Sequence, residues 1–167
     1  MIRIRTARLE DEDALARVDA ATWTADVSPA PPPQDGKPFF GPRTRPQDVL
    51  VAESETLIGY ARLTQPIALA SHQHVLELCG LAVDPGRQRA GAGRRLVEAI
   101  VGEARSRGAR KLSLRVLGPN TAARELYSTC GFEIEGTLRA EFLLDGRYVD
   151  DVLMARHLLK KNQPPPG

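Results

Sequence analysis

A basic segment containing two glycines, in the middle of the chain, has the composition of a phosphate-binding loop. The apolar run 81–83 is stopped by an Asp-Pro pair, and Gly91 and Gly93 then flank Ala92 where an amphipathic pattern begins. The first N–H groups of a helix have no partner within the helix, and they lie at the positive end of its dipole. Such a helix start is a ready anion site. The segment therefore predicts a pyrophosphate bound where this helix begins.

Arginines around the same helix start suit the same ligand, because a guanidinium presents a fork of donors that matches phosphate oxygens. Four fall here: Arg87, Arg89, Arg94 and Arg95. Two familiar phosphate loops do not fit. A P-loop needs Lys and then Ser or Thr where Arg94 and Arg95 stand, and a dinucleotide-binding loop needs a small residue at Leu96.

Two motifs together carry a family resemblance. Residues 88–93 read Gln-Arg-Ala-Gly-Ala-Gly, which matches Arg/Gln-x-x-Gly-x-Gly/Ala. Residues 120–132 match Asn-x-x-Ala-x-x-Leu-Tyr-x-x-x-Gly-Phe at every fixed position, one predicted strand later. In this order and spacing the chain resembles the GNAT superfamily of acetyl-CoA-dependent N-acetyltransferases. The resemblance covers nearly the whole chain apart from residues 27–46 and the C-terminal tail.

The resemblance implies that backbone N–H groups of the 88–93 loop hold the pyrophosphate of coenzyme A, while the strand before it faces the thioester and the pantetheine arm. Asn120 would contact pantetheine, although it is also a good helix N-cap. Tyr127 would protonate the departing thiolate; the alternative is a packed ring with its hydroxyl bonded to a neighbour. The implied cofactor-binding residues are Leu81, Ala82, Val83, Gln88, Arg89, Ala90, Gly91, Ala92, Gly93, Arg94, Asn120, Ala123 and Tyr127.

Acetyl transfer also needs a base, because an ammonium has no lone pair with which to attack a thioester. Glu77 is the first candidate, since it precedes Leu81 by four residues and its position resembles the glutamate base of histone-type GNAT enzymes. An ordinary exposed carboxylate or an ion-pair partner is the alternative. His72 and His74 have a more suitable ordinary pKa, but strand alternation places His74 and Glu77 on opposite faces. Cys79 shares the Glu77 face and is not expected to be a nucleophile, because the family transfers the acyl group directly.

Hydrophobic patterning predicts the elements that position these residues. Strands are predicted at 2–5, 49–52, 57–63, 74–83, 111–116, 132–144 and 147–154, and helices within 10–24, between Gly91 and Gly108, and over 120–127. The helix within 10–24 is expected to bury Leu9, Leu15, Val18 and Trp23. The order predicts an α/β or α+β domain. The resemblance specifies a central mixed, mainly antiparallel sheet of about seven strands, with a splayed parallel pair and helices on both faces.

Composition sets further limits. With 167 residues and 42% apolar content, the chain suits one domain, predicted over 1–159 and followed by a flexible tail at 160–167. A net charge of +2 disfavours nucleic acid and membrane as partners. Cys79 and Cys130 lack ligand spacing, so neither a disulfide framework nor a metal site is expected. The absence of a secretory signal favours a cytoplasmic protein, for which a homodimer is one expected assembly.

The acceptor is the least defined element. Residues 131–154 resemble branches that acetylate amino acids or phosphinothricin-like compounds, polyamines, or the N-terminal alanine of ribosomal proteins. Arg139 is a candidate for an acceptor carboxylate, and Glu141 or Asp150 for an ammonium; solvated hairpin charges are the alternative. Function is therefore expected to be direct acetyl transfer from acetyl-CoA to a primary amine of a small molecule or a protein N-terminus. A non-catalytic acyl-CoA-binding module is the alternative.

Residues 27–46 depart from those branches. Seven prolines fall in this stretch, which excludes a regular helix or a central strand. With Phe39 and Phe40 between the prolines, the segment is interpreted either as a lid over the acceptor site or as a simple insertion.

Overall fold

Seven strands form one mixed sheet in the computed structural model, which describes residues 1–159. They are β1 Arg3–Thr6, β2 Val49–Glu53, β3 Leu57–Thr64, β4 Val75–Val83, β5 Lys111–Leu117, β6 Glu133–Leu144 and β7 Arg147–His157. Their spatial order is β1-β2-β3-β4-β5-β7-β6, and every neighbouring pair is antiparallel except β4 and β5, which are parallel. The predicted sheet is confirmed. The predicted tail 160–167 lies outside the described residues, and the domain boundary stays a prediction.

Helices cover both faces of this sheet, as predicted. Leu15 packs with Val51 of β2 on one face, whereas Leu96 packs with Ala52 on the other, because successive strand residues point to opposite faces. None of the helices within 1–159 has the length and apolar composition needed to cross a membrane. The α-helices are α1 Glu12–Thr22, α2 Ala92–Ser106 and α3 Thr121–Thr129.

The ends of the helices follow local sequence, but the predicted buried face of the first helix extends neither to Leu9 nor to Trp23, which is half-buried just past the end of α1. Beyond α2, Gly108 adopts φ +84°, the left-handed conformation expected of a glycine just past a helix end. Leu9 was predicted on the buried face of the first helix, but it is 73% exposed. It lies in a short 3₁₀ turn, Leu9–Asp11, that precedes α1. Because a 3₁₀ turn has three residues per turn, the α-helical spacing does not hold for Leu9.

The parallel pair separates at its carboxyl end. β4 and β5 pair over four residues that end at Leu78, although both strands continue beyond it. At the same level, Arg62 of β3 pairs with Gly80 and Leu63 pairs with Leu78, so Cys79 is an extra residue in β4. A bulge of this kind bends its strand and increases the local twist. The result is a gap between β4 and β5 on the side where α2 begins.

The proline-rich segment 27–46 lies against α1. The indole N–H of Trp23 donates a 3.0 Å hydrogen bond to a backbone carbonyl of the segment. At its other end, the backbone N–H groups of Phe39 and Phe40 donate to the carboxylate of Glu12. The segment up to residue 45 contains no helix or named strand, as its prolines predict. Its ends are therefore fixed to the helix that faces the cavity described next.

Candidate active site

A cavity of about 1210 Å³ opens at the gap between β4 and β5. Its walls come from α1, the proline-rich segment, β3, β4 and the beginnings of α2 and α3. Among the predicted cofactor-binding residues, those that line it are Leu81, Ala82, Val83, Gln88, Arg89, Gly91, Ala92, Gly93, Arg94, Asn120, Ala123 and Tyr127. Two predicted site residues, Ala90 and Glu77, are outside this lining. The structure thus brings both sequence motifs to one cavity.

The loop at the start of α2 offers a run of free backbone donors. From Gln88 to Arg94, no backbone N–H finds an acceptor within residues 1–159; the next one, that of Arg95, donates to the Gly91 carbonyl at 3.1 Å. Gly91 is the N-cap with φ +81°, and Arg89 also has positive φ, 71°. Left-handed residues turn successive N–H groups into a concave anion site. The backbone geometry is that of an anion-binding loop.

Gly93 has a second reason to be small. A Cβ placed on it would lie 3.3 Å from a terminal methyl carbon of Leu126 in α3. Such a distance is tighter than ordinary van der Waals contact. Gly93 therefore allows α2 and α3 to approach each other, in addition to leaving its own N–H accessible.

The charge beside this loop is not neutralised by the protein. Arg89 and Arg94 both line the cavity and are exposed. Within the described residues, neither these two nor Arg87 and Arg95 form an ion pair with a carboxylate. Free N–H groups and unpaired guanidinium groups together favour a ligand with more than one negative charge.

Tyr127 lies in the last turns of α3 and is 8% exposed. Its ring packs against Phe132 with centroids 5.9 Å apart. Its hydroxyl makes no hydrogen bond to any described residue, and burial raises the pKa of the phenol. A neutral phenol without a protein partner, in a residue that lines the cavity, is available as a proton donor.

Asn120 combines the two roles considered for it. Its side-chain oxygen accepts a 3.3 Å hydrogen bond from the backbone N–H of Ala123, so it caps α3. It also lines the cavity. Helix capping and contact with a ligand are therefore compatible at this residue.

Glu77 lies on β4 two residues before the bulge, paired with Thr64 on β3 and Ser113 on β5. Burial raises the pKa of its half-buried carboxyl, opposed by Arg115 and Arg62 and reinforced by Asp151. A raised pKa is what a base operating near neutrality requires. Because Glu77 is beside the cavity rather than in its lining, it would reach a substrate through water.

The alternative bases lie at the other end of the strand. His72 and His74 precede β4 and do not line the cavity. Seven residues separate His74 from Leu81, which corresponds to roughly 23 Å of extended strand. Of the three candidates, Glu77 is therefore the one nearest to the gap.

Among the cavity residues that the sequence prediction missed are Tyr60 and Arg62 of β3, and Arg115 of β5. The Tyr60 hydroxyl donates to the Asp19 carboxylate of α1 at 2.6 Å, and the Phe39 ring lies 4.9 Å from the Tyr60 ring. The available signal was polar residues alternating with apolar ones inside otherwise apolar strands. This surface, Phe39, Tyr60, Arg62 and Arg115, is called the acceptor wall below.

The predicted acceptor contacts in the C-terminal hairpin do not reach this cavity. Arg139 and Glu141 are exposed on β6, and Asp150 of β7 accepts a 2.9 Å hydrogen bond from the Ala140 backbone N–H. None of the three lines the cavity. β6 is the edge strand beyond β7, so two strands separate it from the β4 side of the gap. These three residues therefore fit the alternative interpretation, in which they are hairpin charges that are solvated or hydrogen-bonded locally.

Comparison with known proteins defines the family. The model of the acetyltransferase (GNAT) family matches residues 13–132. The chain belongs to this family. This GNAT protein is 42% identical over 93 residues to the ribosomal protein bS18-alanine N-acetyltransferase of Escherichia coli K12, a match that spans 53% of the chain and 62% of that relative's length.

Solved structures agree on the fold. The ribosomal-protein-alanine N-acetyltransferase of Brucella melitensis has a TM-score of 0.74 at 26% identity, covering 93% of this chain and 99% of that one. A phosphinothricin acetyltransferase of the GNAT superfamily from Sinorhizobium meliloti, in complex with acetyl-CoA, has a TM-score of 0.83 at 20% identity, covering 99% and 93%. The fold and the family predicted from the two motifs are confirmed.

Proposed function

We propose that this GNAT protein transfers an acetyl group from acetyl-CoA directly to a primary amine. The observation that carries the proposal is the run of backbone N–H groups from Gln88 to Arg94, without acceptors in residues 1–159, on the cavity that Tyr127 also lines. A diphosphate is the ligand chemistry that such a helix start favours. The name of the E. coli relative and the acetyl-CoA complex of the S. meliloti neighbour support the same conclusion.

The donor is held mainly by backbone groups in this proposal. The N–H groups of 88–94 bind the pyrophosphate, with Arg89 and Arg94 adding charge at its side. Leu81 to Val83 pair with β3 on one edge, but β4 has already left β5 at Leu78. Their other edge therefore has backbone donors and acceptors available for a thioester carbonyl and the pantetheine amides. Asn120 and Ala123 line the opposite side of the gap.

The reaction needs proton transfers at both ends. Glu77 accepts a proton from the acceptor ammonium through water and later releases it to solvent, which leaves a neutral amine to attack the thioester carbonyl carbon. As the carbon–sulfur bond breaks, Tyr127 donates its phenolic proton to the thiolate sulfur, and the second proton of the attacking nitrogen returns to the phenolate through water, so that a neutral amide is formed. Burial holds the pKa of the phenol high, so the phenol carries its proton near neutral pH, and no described residue competes for that proton. Attack by the amine itself requires no covalent acyl-enzyme, so Cys79 has no catalytic role in the proposal.

The proposed acceptor class follows the predicted one: an amino acid-like or polyamine small molecule, or a protein N-terminus as in the names of the relatives. A non-catalytic acyl-CoA-binding module is not favoured, because such a module needs no proton donor at Tyr127. The homodimer and the cytoplasmic location remain predictions.

Calorimetry and turnover test this function. Titration with acetyl-CoA is expected to show saturable binding, and release of free thiol is expected with at least one amine in a panel of amino acids, polyamines and N-terminal peptides. Saturable binding without turnover on any acceptor would instead support the binding module. Absence of binding would contradict both.

A further inference from the structure

Arg62 differs from Arg115, the other arginine of the acceptor wall, because it has no carboxylate partner within residues 1–159. It lines the cavity and is half-buried. Its Nη1 donates to the Thr44 hydroxyl at 2.6 Å, and its Nε donates to the Cys79 sulfur at 3.0 Å. Within residues 1–159 it has no ion pair, and its Nη2 has no hydrogen bond. A guanidinium removed from water without a counter-charge is costly.

Both protein partners of Arg62 are neutral. Thr44 contributes an uncharged hydroxyl. Burial raises the pKa of the Cys79 thiol above its usual value, so the thiol stays protonated and carries no negative charge. These two contacts therefore leave the partly buried positive charge uncompensated; the carboxyl of Glu77, whose pKa Arg62 lowers, interacts with it at longer range without forming an ion pair. A ligand carboxylate would compensate it and would use the free Nη2.

Three other charged groups of the acceptor side already have partners of their own. Arg115 pairs with the buried carboxylate of Asp151. Asp19 accepts from the Tyr60 hydroxyl at 2.6 Å. Nη1 of Arg17 lies 3.4 Å from Oδ2 of Asp84, which forms an ion pair. Two further charges on the proline-rich segment, Asp35 and Lys37, are opposite in sign and exposed.

Register places Arg62 beside the proposed reaction centre. Arg62 pairs with Gly80, the residue directly before Leu81, and such paired Cα atoms are about 5 Å apart. Thr64, two residues along β3, pairs with Glu77. Arg62 and Glu77 therefore share one face of the sheet, with a cationic group near one end of the acceptor site and a carboxyl near the other.

We infer that the acceptor is an amine that carries a carboxylate close to its amino group, such as an α-amino acid, and that Arg62 binds this carboxylate. The inference rests on the proposed function and narrows it. An α-amino acid has one carbon between its two charged groups, so one end can face Arg62 while the amine faces the Glu77 side. A protein N-terminus lacks that carboxylate, because it is part of a peptide bond.

Matched acceptors test the inference on the full chain. With saturating acetyl-CoA, thiol release is measured for L-methionine and L-phenylalanine, for their amides, and for the corresponding decarboxylated amines; an alanine-initiated peptide completes the set. The amino acids are expected to exceed their amides in kcat/KM by about tenfold or more. The comparison is conservative, because the amide form has the less basic amine and more of it is neutral at a given pH.

Arg62→Gln tests whether Arg62 is responsible for the preference for amino acids over their amides. It is expected to raise KM for the amino acids by about tenfold to a hundredfold, while kcat/KM for the amides changes by less than about threefold. Arg62→Lys keeps the positive charge but loses the paired guanidinium donors that can bind both carboxylate oxygens, so an intermediate rise in KM is expected. Arg45→Gln is the matched control: Arg45 is exposed, pairs with Asp48 and lies outside the cavity. Using the acid-to-amide ratio within each variant cancels a general loss of folded protein.

The outcomes separate the two proposals. If amides, decarboxylated amines or the peptide react as well as the amino acids, the acetyltransferase function stands and the carboxylate inference is wrong. If the preference exists but persists in Arg62→Gln, the assignment to Arg62 is wrong. If acetyl-CoA binds and no acceptor reacts, the proposed function fails, and this inference fails with it.

Discussion

The two halves of the cavity are built in different ways. The proposed pyrophosphate site of the donor half is one continuous stretch, 88–94, whose backbone N–H groups lie at the start of α2. The acceptor wall takes side chains from the proline-rich segment and from two strands that are not neighbours in the sheet: Phe39, Tyr60, Arg62 and Arg115. A backbone site depends on local conformation, which a few residues fix. A side-chain site depends on the identity of every contributing residue.

This contrast shows how one fold can retain binding of the same acetyl donor while its specificity for the acceptor changes. A substitution in the acceptor wall alters shape and charge without moving the backbone of the α2 loop. A substitution that changes the loop conformation alters donor binding with every acceptor. The catalytic groups proposed above, Tyr127 and Glu77, would serve the reaction with every acceptor, and their loss is expected to have the largest effects.

Tyr127→Phe is expected to have the largest effect. Removing a general acid lowers kcat by about a hundredfold or more, whereas the dissociation constant of acetyl-CoA should hardly change because the ring and its contact with Phe132 remain. Steady-state thiol release and calorimetry measure the two quantities. Tyr148→Phe, at an exposed residue of β7, is the matched control and should leave both unchanged. An unaltered kcat in Tyr127→Phe would remove the phenol from the reaction.

Glu77→Gln tests the base. The rate is expected to fall by about a hundredfold, most strongly well below the pKa of the acceptor amine, where little of the amine is already neutral. The wild-type rate should also be lost as the pH falls through the raised pKa of Glu77, and this loss should be absent from the variant. A pH profile of kcat/KM measures both features. A profile that the substitution leaves unchanged would assign the proton to water or to another group.

Glu77→Gln is expected to stabilise the folded protein, although it lowers the reaction rate. Burial raises the pKa of Glu77 above its usual value of 4.5, so the ionised form destabilises the folded protein. Glu77→Gln should therefore raise the free energy of unfolding at neutral pH, and the gain should vanish below about pH 4, where folded and unfolded forms are both protonated. Denaturant unfolding at several pH values measures this. Glu55→Gln, in an exposed turn, should show no such gain.

The contrast between the halves also explains what the sequence predicts. The donor loop and the helix of Tyr127 are continuous motifs, so residue types at fixed spacing identify them. Arg62 and Arg115 are 53 positions apart in the numbering, and they line one cavity only because β3 and β5 flank β4 in the sheet. No spacing rule in the sequence predicts that placement.

The candidate acceptor contacts that lie outside the cavity have the same origin. Arg139 and Glu141 carry plausible charges for an acceptor, but the sheet order sends β6 to the edge, beyond β7. The extra residue at Cys79, which bends β4, follows from the pairing registers of β3 and β4 and has no mark in the local sequence. Long-range register therefore limits prediction at the acceptor side more than at the donor side.

Gly91→Ala tests the dependence of the donor half on local conformation. At φ +81°, a Cβ costs about 1–2 kcal/mol, which corresponds to an acetyl-CoA affinity roughly five- to thirtyfold lower if the loop relaxes in the free protein. Calorimetry measures the affinity. Gly102→Ala within α2 is the matched control; it should leave the affinity unchanged and stabilise the protein by about 0.5–1 kcal/mol, since a Cβ there has open space. Equal affinities in the two variants would contradict the role of the left-handed residue.

Phe39→Ala tests whether the two halves are separable. The Phe39 ring packs at 4.9 Å against Tyr60 of the acceptor wall, whereas the backbone N–H of Phe39 is fixed by Glu12. Loss of the ring should therefore raise the acceptor KM by about threefold to tenfold and leave the acetyl-CoA dissociation constant unchanged. Phe142→Ala, at a half-buried residue of β6 outside the cavity, should change neither. If acetyl-CoA affinity falls as far as acceptor affinity, the proline-rich segment supports both halves, and the acceptor wall cannot vary independently of the donor loop.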